Sequence, residues 1–161
     1  MKENSLYDKK SLREITGKSA DWNEVAKDCV AFSNAQGGVI DYGIEDDADA
    51  PPANQKVSED IAINLENKIS GKTLNVSAHA EILTHENGGQ YIRLHIARGT
   101  SSASTTSGKY FTRISDNSVP LTGDDITRLS AEKGYYRWED EESKWSWKDA
   151  DKEKLKMLLQ H

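Results

Sequence analysis

The chain has 161 residues, of which 35% are hydrophobic and 30% charged, with a formal net charge of −6. That length suits one domain with a real core, and the acidic balance excludes generalised charge-driven binding to nucleic acid, leaving room only for a local basic face. The single cysteine, Cys29, excludes an intrachain disulfide, and no stretch has the length and apolarity of a membrane span, so a cytoplasmic protein is expected.

Residues 1–10 are polar and read as a loose arm with Leu6 and Tyr7 as anchors. Leu12-Arg-Glu-Ile15 alternates apolar and charged residues, which predicts a short strand stopped by Thr16-Gly17. From Asp21 the spacing becomes helical: Trp22, Val25, Ala26, Cys29, Val30 and Phe32 form one apolar stripe. Asp21 with Glu24 makes a capping-box-like start, and Gly37-Gly38 stops the helix. Val39 to Ile44 then reads as a strand with Ile40, Tyr42 and Ile44 on one face and Asp41 on the other. Glu45-Asp-Asp-Ala-Asp-Ala-Pro-Pro52 is an acidic loop, because its prolines block helix and sheet alike.

Helical spacing returns over residues 57–69, with Ser58 as the expected cap and Gly71 as the stop. Residues 76–83 and 91–96 alternate around His85-Glu-Asn-Gly-Gly89, a hairpin signal. Residues 101–108 form a hydroxyl-rich loop, 109–114 a strand, 115–118 a turn and 124–133 a helix. After Gly134 the composition shifts to tryptophan, tyrosine and glutamate, followed by an amphipathic helix over about 149–160. The division expected is a domain over 1–134 and an aromatic, acidic linker with a C-terminal helix over 135–161, leading into a further domain of a longer protein. The order β-α-β-loop-α-β-β-β-α predicts an α/β (α+β) fold: a mixed sheet with packed helices.

Two groups of residues carry candidate chemistry. Between Glu86 and Asp116 the chain has no acid but contains Arg93, Arg98, Lys109 and Arg113. These cations, with Ser104 and Thr105 of the intervening loop as phosphate ligands and Tyr91 and Tyr110 as stacking surfaces, would suit nucleic acid. The competing reading pairs the arginines with the chain's abundant carboxylates. The second group is acidic: Glu14, Asp41, Glu45, Asp46 and Asp47 would converge if the first two strands pair, and clustered carboxylates suit metal-assisted phosphodiester cleavage. Its competing reading is a solvated loop. The histidines show no ligand spacing, the Ser/Thr loop lacks a Walker pattern, and no cofactor is evident.

Leu12-Arg-Glu-Ile-Thr-Gly-Lys18, Val30-Ala-Phe-Ser-Asn-Ala-Gln-Gly-Gly38, Val39-Ile-Asp-Tyr-Gly-Ile-Glu-Asp46 and Lys109-Tyr-Phe-Thr-Arg-Ile-Ser-Asp116 occur in that order. Together they resemble the Schlafen/AlbA-type domain. The resemblance implies a nucleic-acid-binding, DNA- or RNA-directed module, commonly the N-terminal part of bacterial ATP-binding proteins or transcriptional regulators. Some relatives cleave RNA with carboxylates from the first strand and the end of the Gly-Gly strand. On the motif, Glu14 and Asp46 would take those catalytic positions, with magnesium or manganese as the metal. The family's further glutamate, five residues before the first-strand acid, falls on Lys9, so the set is incomplete. Three readings follow: a nucleic-acid-binding module, a divalent-metal ribonuclease, and a non-catalytic homodimerisation or protein-interaction domain using the tryptophan-rich tail.

Overall fold

The computed structural model describes residues 2–143, with side chains described through residue 134. The tryptophan-rich segment from residue 135 and the helix expected near 149–160 therefore lie outside the side chains or residues described.

The first strand, β1, is Tyr7–Lys10, and not the segment expected at residues 12–15. Leu12–Ile15 is instead a 3-10 turn, because Ser11 caps it by accepting from the Arg13 N–H and Thr16 Oγ1 donates back to the Leu12 carbonyl at 2.9 Å. A second 3-10 turn, Gly17–Ser19, leads into α1, Trp22–Asn34. Asp21 Oδ1 accepts from the Glu24 N–H at 3.1 Å, the expected cap. The Gly-Gly corner then enters β2, Gly38–Tyr42. Gly37 sits at φ +73° and Gly38 at +155°. A Cβ on Gly38 would lie 2.5 Å from the Leu6 carbonyl oxygen and 2.7 Å from the Phe32 ring, so only glycine lets β2 start beside β1.

Next come α2 (Glu59–Lys72), the two-residue β3 (Thr73–Leu74), β4 (Ala78–Thr84) and β5 (Gln90–Ile96). Ser58 occupies the cap position of α2 without a side-chain cap bond, and the helix runs past Gly71. The hairpin between β4 and β5 closes as the Asn-Gly signal predicts, with the His85 N–H donating to Gly89 at 2.8 Å. The four-stranded sheet has the order β1-β2-β5-β4, with β1 and β2 parallel and the other pairs antiparallel, the mixed α+β architecture expected. On one face, Ile40, Tyr42, Ile92, Leu94 and Ile96 pack with Val25, Cys29 and Phe32 of α1 and Leu65 and Ile69 of α2. Cys29 is fully buried there, and burial pushes its thiol pKa up, the state of an inert packing residue.

The remaining elements are β6 (Ser104–Thr105), β7 (Tyr110–Ile114), β8 (Asn117–Leu121) and α3 (Asp124–Ser143). β8 was hidden by its composition: Ser-Asp-Asn-Ser reads as a turn, and Pro120 as a breaker. The turn is tighter than that, with Ser115 at φ +56°, and Pro120 is tolerated because β7–β8 is only two-stranded. β6 pairs with β3, and the β7–β8 hairpin packs on α1. Asn34, at the end of α1, fixes these parts together. Its Nδ2 donates to the Ala103 and Phe111 carbonyls, each at 2.8 Å, and its Oδ1 accepts from the Ala103 N–H at 2.7 Å. The Ala-Phe-Ser-Asn segment is thus a packing motif. α3 continues through Gly134 without a break, longer than the expected helix. Among the described residues, no helix is long and apolar enough to cross a membrane.

Candidate functional site

The acid-free sector does not form one surface. Arg113 is buried: its Nη2 lies 3.3 Å from Asp8, its Nη1 donates to Ser118 at 3.2 Å, and its guanidinium sits 4.5 Å from the Phe32 ring centroid. A side chain only 1% exposed is not presented to a strand of nucleic acid, and its role is structural. Ser104 is buried in β6. The Thr105 hydroxyl is 2.8 Å from Ser107 Oγ and accepts from the Lys109 N–H, while the Thr105, Thr106 and Gly108 N–H groups bond to Lys109, Lys72 and Thr105 carbonyls. The loop consumes its own donors, so it is a closed turn and not a phosphate cradle. Lys109 and Arg98 are exposed.

Arg93 is different. It stands on the sheet face opposite the helices, where period two also places Tyr91 and His95 of β5. Its Nε and Nη2 donate to the two oxygens of Asp41, both at 2.9 Å, in the forked geometry of a strong Arg–carboxylate pair. Tyr7 Oη donates to Asp41 Oδ2 at 2.7 Å, so the carboxylate that orients Arg93 is itself held. Asp41 is 1% exposed, and the Arg93 side chain is 34% exposed. The hydrogen bond to Asp41 is the main cause of the raised Arg93 pKa, while burial first and then the bond to Asp41 raise that of Tyr7. The guanidinium carbon lies 5.8 Å from the Tyr91 ring centroid, and His95 pairs with Glu81 at 3.2 Å. Among the described elements α1 and α2 cover only the other face, so this one presents a locked guanidinium beside an aromatic ring.

The acidic candidates also rearrange. Glu14 lies in the 3-10 turn, where burial raises its pKa and Lys10, Asp28, Glu24 and Asp8 are its charged neighbours. Asp46 is exposed in the loop after β2. Glu3 is its electrostatic neighbour, since after burial the Asp8 and Asp46 carboxylates both act to raise the Glu3 pKa. With β1 at residues 7–10, the first-strand acid is Asp8, and the acid five residues before it is Glu3. Lys9 instead turns its ammonium to the Ala48 carbonyl at 2.6 Å and tethers the acidic loop.

Burial, then the Asp8 and Asp46 carboxylates, push the Glu3 carboxyl from its ordinary 4.5 up to about 7. The folded chain therefore keeps a proton that the unfolded chain releases, and stability falls as pH rises from 4.5 to about 7. After discounting for solvent screening, Glu3→Gln is expected to gain about 1 kcal/mol above neutrality and nothing at about pH 4. Urea melts of both proteins at acidic and at basic pH read this directly; a gain that does not depend on pH would exclude the shared proton.

Oxygen donors are the type that magnesium or manganese takes. However, among the described residues no three His, Cys, Asp or Glu side chains are grouped to hold a metal ion, and Asp8 already pairs with Arg113 and, at 3.8 Å, with Lys10. The set as placed does not fit a resident divalent ion.

Comparison with known proteins agrees with this architecture. The family model described as Schlafen, AlbA_2 matches residues 3–122, a span that includes Glu3 and β1. No curated protein matches the chain. A solved structure, the DIP2311 protein from Corynebacterium diphtheriae, is similar at 15% identity and a TM-score of 0.51. The match covers 73% of this chain but only 25% of that one, and it speaks to fold alone. With the β1-α1-β2 unit, the Gly-Gly corner and the Asn34 clip all inside the matched span, the chain belongs to the Schlafen AlbA_2 family.

Proposed function

We propose that this domain binds nucleic acid, preferentially single-stranded, on the outer face of its four-stranded sheet. The observation that carries the reading is Arg93, fixed by buried Asp41 and Tyr7 and standing beside Tyr91. A guanidinium whose Nε and Nη2 are committed to a carboxylate loses little rotamer freedom on meeting a phosphate or a base. An adjacent ring adds a stacking surface worth about 1–3 kcal/mol per base. In a longer protein such a module would serve as the recognition part of a transcriptional regulator or ATP-binding protein.

Fluorescence anisotropy with single- and double-stranded oligonucleotides over a salt series tests this. Binding should weaken steeply with salt, and Arg93→Ala should reduce the slope by about 1. Salt-insensitive binding, or an unchanged Arg93→Ala variant, would sink the proposal.

A second reading, RNA cleavage, is favoured by the raised pKa that burial and the Asp8 and Asp46 carboxylates give Glu3. A carboxyl that keeps its proton to about neutral pH can give it to a leaving 5′ oxygen. A neighbouring carboxylate takes the proton of the attacking 2′ hydroxyl as the phosphorus–oxygen bond breaks. Labelled RNA, incubated with and without magnesium or manganese, distinguishes cleavage from binding alone. Cleavage that survives Glu3→Gln would remove this site from consideration.

A further inference from the structure

A cleft of about 500 Å³ opens between the first half of α1, the end of α2 and the loop joining β6 to β7. Its size is that of a small-molecule site. Lys27, Lys72 and Lys109 line it together with Asp21, Glu24 and Phe111. These charges are not equally committed. Lys27 pairs with Glu24 at 2.8 Å, and Asp21 Oδ1 caps α1 by accepting from the Glu24 N–H. The ammonium groups of Lys72 and Lys109 have no carboxylate partner among the described residues.

The backbone holds these two lysines in relation to each other. The Lys72 carbonyl accepts from the Thr106 N–H, and the Lys109 carbonyl accepts from the Thr105 N–H, each at 2.9 Å. Consecutive residues of one closed turn therefore hold the backbones of both lysines, and both residues line the cleft. The cleft thus has two lysines not paired to a carboxylate on one edge, an aromatic side chain in Phe111, and on α1 a wall with Asp21 and Glu24, the latter paired through one oxygen with Lys27.

We propose that this cleft is a mononucleotide site for pyrimidine or purine bases that carry an exocyclic amino group. The phosphate lies between Lys72 and Lys109, the base lies along Phe111, and the amino group donates to the carboxylate wall at Glu24. Phosphate alone would satisfy the lysines but would leave without a donor, and be repelled by, the Glu24 oxygen that Lys27 does not hold. A base with a carbonyl in place of the amino group would face the same repulsion. The site is distinct from the sheet face around Arg93 and stands whether or not that face binds a strand.

Cytidine and uridine monophosphates make the sharpest pair of probes, because they differ in size by almost nothing and exchange an amino donor for a carbonyl acceptor. Titration calorimetry of the full chain should show the cytidine nucleotide binding about tenfold more tightly. The Lys72→Ala, Lys109→Ala double variant should weaken both nucleotides by about tenfold or more. Glu24→Gln should bring the two affinities together while leaving the uridine nucleotide no weaker. Equal affinities in the unaltered protein, inorganic phosphate binding as tightly as either nucleotide, or indifference to the lysine changes would each overturn the proposal. Loss of oligonucleotide binding in Arg93→Ala with nucleotide titrations unchanged is the expected separation of the two sites; a parallel loss of both would overturn their independence.

Discussion

Arg113→Ala is expected to destabilise the domain by about 3–5 kcal/mol, the usual cost of breaking a buried ion pair from one side. The reason lies in what the guanidinium closes. Asp8 is buried on β1, and Arg113 meets it at 3.3 Å while also donating to the Ser118 hydroxyl and the Asn4 carbonyl. Ser118 in turn donates to Asp28 on α1 at 2.7 Å. Without Arg113, Asp8 keeps only Lys10, 3.8 Å away, as a charged partner, and Lys10 is shared with Asp28 at 3.9 Å. Burial already raises the Asp28 pKa despite these partners, so the network has little spare positive charge. Arg113→Lys should recover only part of the loss, since one ammonium cannot reach Asp8, Ser118 and Asn4 in the same fork. Chemical denaturation reads the effect, which corresponds to a fall in Tm of roughly 10 °C for a chain of this size. In a double-mutant cycle, Asp8→Asn should cost less in the Arg113→Ala background than alone. A loss below about 1 kcal/mol would mean that water replaces the guanidinium and that the network is not closed.

The same network explains which parts of the fold were legible in the sequence. The run from Trp22 to Tyr42 announced itself because its buried positions are apolar at helical and then strand spacing. β1 did not, because Tyr-Asp-Lys-Lys has no apolar face; Asp8 and Lys9 are buried through partners on β7 and on the loop after β2, which lie far along the chain. Leu12-Arg-Glu-Ile15 is the more regular pattern, yet it folds as a 3-10 turn, so the acid on the first strand is Asp8 and not Glu14. The acid at position 3, five residues before Asp8, was the signal available; it needed the strand to be placed correctly first. The basic sector divides for a related reason. The alternation that set Arg93 and His95 on one face was sound, but strand pairing decides what each cation meets. β2 brought Asp41 to Arg93, and β1 brought Asp8 to Arg113. Pairing of this kind is non-local, and neither periodicity nor composition records it. The outcome separates two arginines that look alike in sequence: one became part of the core, and the other remained at a surface.

Asp41→Asn tests whether that surviving arginine works through its position or merely through its charge. The substitution keeps the shape of the side chain and removes one negative charge, taking the formal net charge from −6 to −5. If Arg93 acts only as a diffuse positive charge, binding of single-stranded nucleic acid should tighten, since an unpaired cation attracts phosphate more strongly. If the forked contact with Asp41 holds Arg93 ready, binding should weaken. Asparagine offers one acceptor where the guanidinium uses two, and its amide N–H groups would face another donor, either Arg93 or the Tyr7 hydroxyl. The geometry favours the second outcome: a loss of stability of about 2–4 kcal/mol, because a carboxylate 1% exposed gives up its ion pair, together with weaker binding. Anisotropy well below the melting transition separates the two effects. Arg93→Ala and Asp41→Asn should also be strongly non-additive for binding, because the second change has little left to disorder once the guanidinium is gone. Tighter binding by Asp41→Asn would show that the sheet face attracts nucleic acid through charge alone and that the Tyr7–Asp41–Arg93 chain serves only the fold.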